Sequence, residues 1–172
     1  GNILLAELCR QLNANVGVFY LLSEEEGEKL FSLAASYSYS QRKSLSNQFR
    51  IGEGLVGQCR LEKKRIQITD IPDGYLQVRS GLGQGAPQYI NVVPILHNDE
   101  VLAILELGTL RALSNQQSTL LDLASESIGI FINNITSRLQ TEDFLKQAQM
   151  MAEREKAQSE LLETKSKELE HQ

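Results

Sequence analysis

With 172 residues, 41% of them hydrophobic and 23% charged, the chain suffices for one domain with its own core plus an extension, and wholesale disorder is excluded. A net charge of −5 argues against nucleic acid, whose binders cluster Lys and Arg to neutralise phosphates; the longest basic run, Lys63-Lys64-Arg65, reads as a solvated helix end. No run approaches the ~20 apolar residues that span a bilayer and no signal peptide opens the chain, so direct membrane contact is not expected. The expected compartment is the cytoplasm, with any membrane anchor carried elsewhere in a longer parent protein.

Ile3, Leu4, Leu5, Leu8 and Leu12 recur at helical spacing and predict a first helix ending at Asn13-Ala14-Asn15. Val16 to Leu22 is a strand, apolar on both faces, and Lys29 to Tyr39 returns beside it after the polar turn Glu24-Glu25-Glu26-Gly27. A polar link from Gln41 to Gln48 leads through Phe49-Arg50-Ile51 to the glycines at 52, 54 and 57 and a short helix, Leu55 to Leu61. Ile66 to Ile71 alternates as a strand and stops at Pro72. The glycine-rich stretch from Pro72 to Pro87 reads as the most flexible part of the chain, and so long a stretch inside a compact domain is usually functional.

Tyr89 to Leu96 and Val101 to Leu107 form a second hairpin, with Pro94 demanding a bulge or a free edge. Ser114 followed by Gln117 is a capping box opening a long helix, whose apolar residues Leu120, Leu121, Ala124, Ile128, Phe131, Ile132, Ile135 and Leu139 keep helical spacing. From Gln140 charge takes over. The pairs Glu142–Lys146 and Glu163–Lys167 add ~0.3 kcal/mol each to a helix. A heptad frame through Leu145, Ala148, Ala152, Leu162 and Leu169 is broken by Glu155, Ser159 and Ser166, an imperfect seam that needs a partner helix. The domain division is 1–139 for the folded module and 140–172 for a helical, coiled-coil linker. Antiparallel hairpins framed by helices predict an α+β fold.

Catalytic constellations are missing from the sequence. Cys9 and Cys59, read as reduced and partly buried, cannot build a structural zinc site with His97 and His171 so scattered, and no metal is expected. Those two histidines assemble no Ser-His-Asp set either. Gly52-Glu53-Gly54-Leu55-Val56-Gly57 matches the dinucleotide fingerprint formally, with Asp70 or Asp73 at the ribose spacing. Its preceding segment is half polar, its helix is too short to cross a sheet, and no further βαβ unit follows. The glycines instead serve a tight turn and close packing of the short helix.

Ile51 to Gln58, Ile68-Thr69-Asp70-Ile71-Pro72, Val92-Val93-Pro94-Ile95-Leu96 and Val101 to Leu107 resemble, in sequence and order, the motif series of GAF domains over about residues 3 to 139. Ser80-Gly81-Leu82-Gly83 and the polar tail look like the GAF domains of bacterial hybrid sensor histidine kinases. The resemblance implies a six-stranded antiparallel sheet between helices, a small-molecule pocket on one sheet face, and homodimerisation through the terminal helices. It also implies a switch in which pocket occupancy moves the long helix, which requires a ligand that discriminates between two helix arrangements. Departures from known GAF subclasses exclude some cofactors. No histidine follows a cysteine where bilin relatives attach their chromophore, the cyclic-nucleotide signature is not recognisable, and the cysteine set of GAF-fold methionine sulfoxide reductases is not reproduced. No kinase motif lies within the chain.

The residues expected to line a pocket are Leu55, Cys59, Ile68, Asp70, Tyr75, Leu76, Arg79 and Tyr89, which flank the glycine-rich segment and mix apolar walls with few polar groups. Arg79 is a candidate partner for an anionic ligand and equally a solvated loop arginine; Asp70 is a ligand contact or a turn cap. Cys59 would be reactive only if exposed, with its pKa lowered by Arg60 or the helix start. Three functions compete: a ligand-sensing module of unidentified ligand, a ligandless dimerisation and relay module with a filled pocket, and a nucleotide-cofactor enzyme using Gly52 to Gly57.

Overall fold

The computed structural model describes residues 1–25, 27–39, 48–50, 52–69, 71, 78–80 and 83–170. The chain folds into helix α1 (Asn2–Leu12), strands β1 (Ala14–Glu25), β2 (Glu28–Tyr37) and β3 (Gln48–Arg50), helix α2 (Gly54–Glu62), strands β4 (Ile66–Thr69), β5 (Val78–Ser80), β6 (Gly83–Gly85), β7 (Tyr89–His97) and β8 (Glu100–Thr109), and helix α3 (Asn115–Glu170). Six strands form one antiparallel sheet in the order β3-β2-β1-β8-β7-β4, the expected α+β architecture. The pair β5-β6 is an addition. It lies in the stretch whose glycines read as flexible, and no alternating pattern there announced it.

Local chemistry sets the element ends. α1 stops where Asn13 adopts a left-handed backbone (φ 53°), a conformation asparagine tolerates, and its N–H closes the helix on Arg10 and Cys9 carbonyls. α3 starts in a reciprocal box: Ser114 Oγ accepts from the Gln117 N–H at 3.2 Å and Gln117 Oε1 accepts from the Ser114 N–H at 3.0 Å. Pro94 sits in β7 two residues beyond Val92, where pairing with β4 has ended, and a bulge follows between Ile95 and Leu96. Both expectations for that proline hold, because a residue without an N–H is tolerated on an edge that donates to nothing.

The two faces of the sheet bury separate cores. On one face Leu5, Cys9 and Leu12 of α1 and Leu121 of α3 pack on Val93, Ile95, Ala103, Leu105 and Leu107, with Ile128 and Ile132 against them. Gly129 belongs to the same helical row, and a methyl there would collide with the Leu96 carbonyl, so α3 lies on the β7 end as closely as a backbone can. The predicted stripe on the long helix therefore divides. Leu121 is buried, while Leu120, Phe131, Ile135 and Leu139 are exposed at 40%, 58%, 44% and 55%.

On the other face α2 covers Val18, Tyr20, Phe31, Ile90, Val92 and Ile104. The chain divides into two compact units, Gly1–Ile132 and Asn133–Gln172; the second is helical through Glu170, and its described side chains beyond Asn133 are exposed.

Candidate functional site

The face under α2 carries ionisable groups that form no ion pair among the described residues. α2 reaches it through a glycine turn. Gly52 has φ 84°, and a Cβ on Gly57 would lie 2.5 Å from the Gly52 nitrogen and 2.7 Å from the Arg50 oxygen. The close approach is thus between the helix and the chain that enters it, which refines the sequence reading of helix against sheet. Glu53 holds the turn by accepting the Arg50 N–H at 2.9 Å.

From α2, Val56 and Cys59 enter the core and Arg60 lays its guanidinium over the buried Phe31 ring, 5.8 Å from the centroid. Arg60 Nη1 is buried with no hydrogen-bond partner. Glu106 stands in the middle of β8 opposite Val18 and Val92, two residues of this core. Strand alternation therefore puts its carboxyl on the same face, and no described residue pairs with it. Burial pushes the Glu106 carboxyl up to about 7, so near neutrality it exists in both protonation states. Tyr20 and Phe49 add a T-shaped ring pair with centroids 5.2 Å apart.

The sequence-predicted residues are partly gathered here. Leu55, Cys59 and Ile68 belong to this one cluster. Tyr89 alternates with Ile90 and so faces the opposite side, together with Asn91 and Val93. Arg79 lies in β5, and only its backbone is described; Asp70, Tyr75 and Leu76 lie outside the described residues. Arg60 and Glu106 were not among the candidates. The signal for Glu106 was available as a lone carboxylate in the apolar run Val101 to Leu107; for Arg60 there was none, since the two-turn helix has no clear polar face.

Two residue readings need correction. Cys9 and Cys59 are fully buried, at 0% exposure, and not partly so. Burial raises the Cys9 thiol to about 11, and burial with the nearby Glu62 charge raises Cys59 to about 12, against any thiolate reactivity at neutral pH. The cysteines belong to cores on opposite faces of the sheet. Arg65 is also not a solvated end of the basic triplet: its Nε and Nη2 donate to Asn91 Oδ1 at 3.1 and 2.7 Å, and Asn91 is fully buried.

The sheet gives the dinucleotide fingerprint no supporting context, since β3 is an edge strand antiparallel to β2 and α2 has only nine residues. A cavity of about 460 Å³ opens elsewhere, between Leu12 and Asn15 at the end of α1 and Arg111 and Gln117 before and within the first turn of α3; none of the eight candidates lines it. Among the described residues no three of His, Cys, Asp and Glu come together as metal ligands would, and no helix is long and apolar enough to cross a membrane.

A central antiparallel sheet with helices on both faces is a widely shared arrangement, and residues 1–133 match the family model described as GAF domain. The chain belongs to the GAF domain family. No curated protein matches it in sequence. Similar solved structures include the GAF domain from a phosphoenolpyruvate-protein phosphotransferase of Coxiella burnetii, at 20% identity and TM-score 0.63, covering 80% of this chain and 82% of that one. The second GAF domain of DevS from Mycobacterium smegmatis has 12% identity and TM-score 0.60, over 81% of this chain and 95% of that one. A type II free methionine-R-sulfoxide reductase from Thermoplasma acidophilum has 16% identity and TM-score 0.57, over 77% and 89%. At such identities the likeness is one of fold, and a fold shared by a reductase and regulatory domains does not fix a function. GAF domains act in general as small-molecule sensing and regulatory modules.

Proposed function

We propose that this GAF domain is a regulatory sensor and not an enzyme: a small molecule binds against the α2 face of the sheet, and α3 relays its presence through a helix pair in a homodimer to a kinase-type output domain of a longer two-component signalling protein. The observation that carries this reading is a pair of ionisable side chains, Arg60 and Glu106, with no ion-pair partner among the described residues on an otherwise apolar face. A face that only packs has no use for such groups, whereas ligand sites combine apolar walls with a few convergent polar atoms. Leu55, Cys59 and Ile68 supply wall. Asp70, Tyr75, Leu76, Arg79 and Tyr89 remain candidates from sequence alone.

The relay half of the proposal draws on α3. One row of that helix is committed to the core, and its exposed Leu120, Phe131, Ile135 and Leu139 offer apolar surface to a second helix. The proposed division is a sensory domain over 1–139 and a signalling helix over 140–172. Both thiols are buried with raised pKa values, which weighs against cysteine redox chemistry as the role.

One observation favours the ligandless relay as a second reading: Phe31, Cys59, Ile90, Val92 and Ile104 on the α2 face are fully buried, as in a filled pocket. Native mass spectrometry of the freshly purified chain separates the two. The sensor reading expects a dimer carrying a reproducible extra mass; a dimer of bare chains favours the relay, and a bare monomer defeats the helix-pair mechanism.

A further inference from the structure

Two arginines five residues apart meet opposite fates. Arg65 directs two N–H groups at the buried Asn91 oxygen and is satisfied by the fold itself. Arg60 takes no part in any ion pair among the described residues, and its Nη1 is shut away from water with no acceptor. The Phe31 ring below stabilises the flat side of the guanidinium, but it cannot serve the N–H groups, which point outward in the guanidinium plane. A guanidinium stays protonated at every physiological pH, so it cannot escape the cost of desolvation by releasing a proton. The fold tolerates a buried donor on a permanent cation, and no carboxylate among the described residues forms an ion pair with it. Nearby acids are occupied otherwise: Glu62 accepts from Gln58 at 2.6 Å and Glu53 from the Arg50 N–H at 2.9 Å.

We infer that the ligand of the α2 face carries an anionic head, a carboxylate or a phosphate, which Arg60 binds, and an apolar body that lies against the half-buried Leu55 and Ile68. This rests on the sensor reading above and narrows it to amphipathic small anions. The planar fork of the guanidinium suits either head, because it presents paired N–H donors at the spacing of two oxygens on one centre.

The test has two arms. In the first, wild type, Arg60→Gln and Arg60→Lys are titrated by calorimetry with straight-chain carboxylates from acetate to octanoate, benzoate, phenyl phosphate and inorganic phosphate, alongside octanamide and benzamide as neutral twins. The expected result is an organic anion that binds wild type while its amide does not. Its affinity should fall at least about tenfold in Arg60→Gln and be partly retained in Arg60→Lys. Equal binding to Arg60→Gln, or preference for the amide, overturns the anionic head and leaves the sensor reading standing. A wild-type protein that binds none of these and purifies without any bound mass overturns both.

The second arm needs no ligand. Arg60→Met keeps an unbranched apolar stem and removes the unpaired charge, so the ligand-free variant should melt about 2–4 °C higher than wild type. A lower melting temperature would make Arg60 a structural strut and overturn the inference.

Discussion

The two faces of the sheet bury comparable sets of Val, Ile and Leu, yet they are built to different specifications. The face under α1 and α3 meets part of its polar needs internally, although Asn91 Nδ2 and Ser125 Oγ are buried without a hydrogen-bond partner. Its helices sit at backbone contact through Gly129, and the Asn91 oxygen is met by Arg65. The face under α2 leaves Arg60 and Glu106 without ion-pair partners among the described residues, although its shorter helix is fixed by a turn that only glycine permits at Gly57. The contrast between the faces is thus one of charge: both bury apolar surface and both bury unpartnered polar atoms, but Arg60 and Glu106 stand on the α2 face with no ion-pair partner among the described residues.

The largest test of that contrast is Leu121→Ala, which removes buried volume on the α1/α3 face and should cost about 3 kcal/mol in urea unfolding. If that face is packing alone, the variant keeps whatever ligand wild type binds at 15 °C, well below its lowered melting point. A loss of ligand binding without unfolding would break the division of labour.

Glu106→Gln probes the other face and should act in the opposite direction. The folded chain holds the Glu106 proton more tightly than the unfolded one, with a pKa raised from 4.5 to about 7. Its contribution to stability is therefore full below pH 4.5 and is lost as pH rises to about 7. At pH 8 the glutamine variant should be more stable than wild type by about 1–3 kcal/mol, and the difference should shrink toward pH 5. No change in the pH profile would place the Glu106 carboxyl in water and remove half of the observation on which the sensor reading stands.

These expectations could not have been formed from the sequence alone, although much of the fold was legible there. Asn13, Ser114 with Gln117, and Pro94 act through their own backbone neighbours, so their effects could be read locally. The face a strand residue occupies depends on its partners and on bulges such as that between Phe19 and Tyr20, and these are set across the sheet. Hence Tyr89 was grouped with Ile68 although alternation turns it to the other side, and Glu106 passed as part of a motif. Arg60 and Arg65 looked alike in sequence because burial of a long side chain depends on what lies opposite. The condition set for a reactive Cys59, exposure, is not met, because the fold buries it completely.

Smaller effects sharpen the comparison at its margins. Ellman's reagent should label neither cysteine within an hour at pH 7.5 in the native protein and both at once in 6 M guanidinium, since each core encloses one thiol. Rapid native labelling of Cys59 alone would mean that the α2 face opens readily. Smallest of all, Asp99→Asn removes the partner of Lys63, an ion pair whose aspartate side chain is 84% exposed, and should shift stability by no more than about 0.5 kcal/mol.

The proline in β7 bears on how this molecule meets its neighbours. Strand edges with free N–H groups invite a strand from another chain, the commonest route by which sheet proteins stick together. Here β4 stops early, but the unpaired length of β7 beyond Val92 offers Pro94 in place of a donor and then bends at the bulge before Leu96. An incoming strand would find an interrupted ladder. Past the end of β4, that side of β7 is therefore a poor template for strand addition.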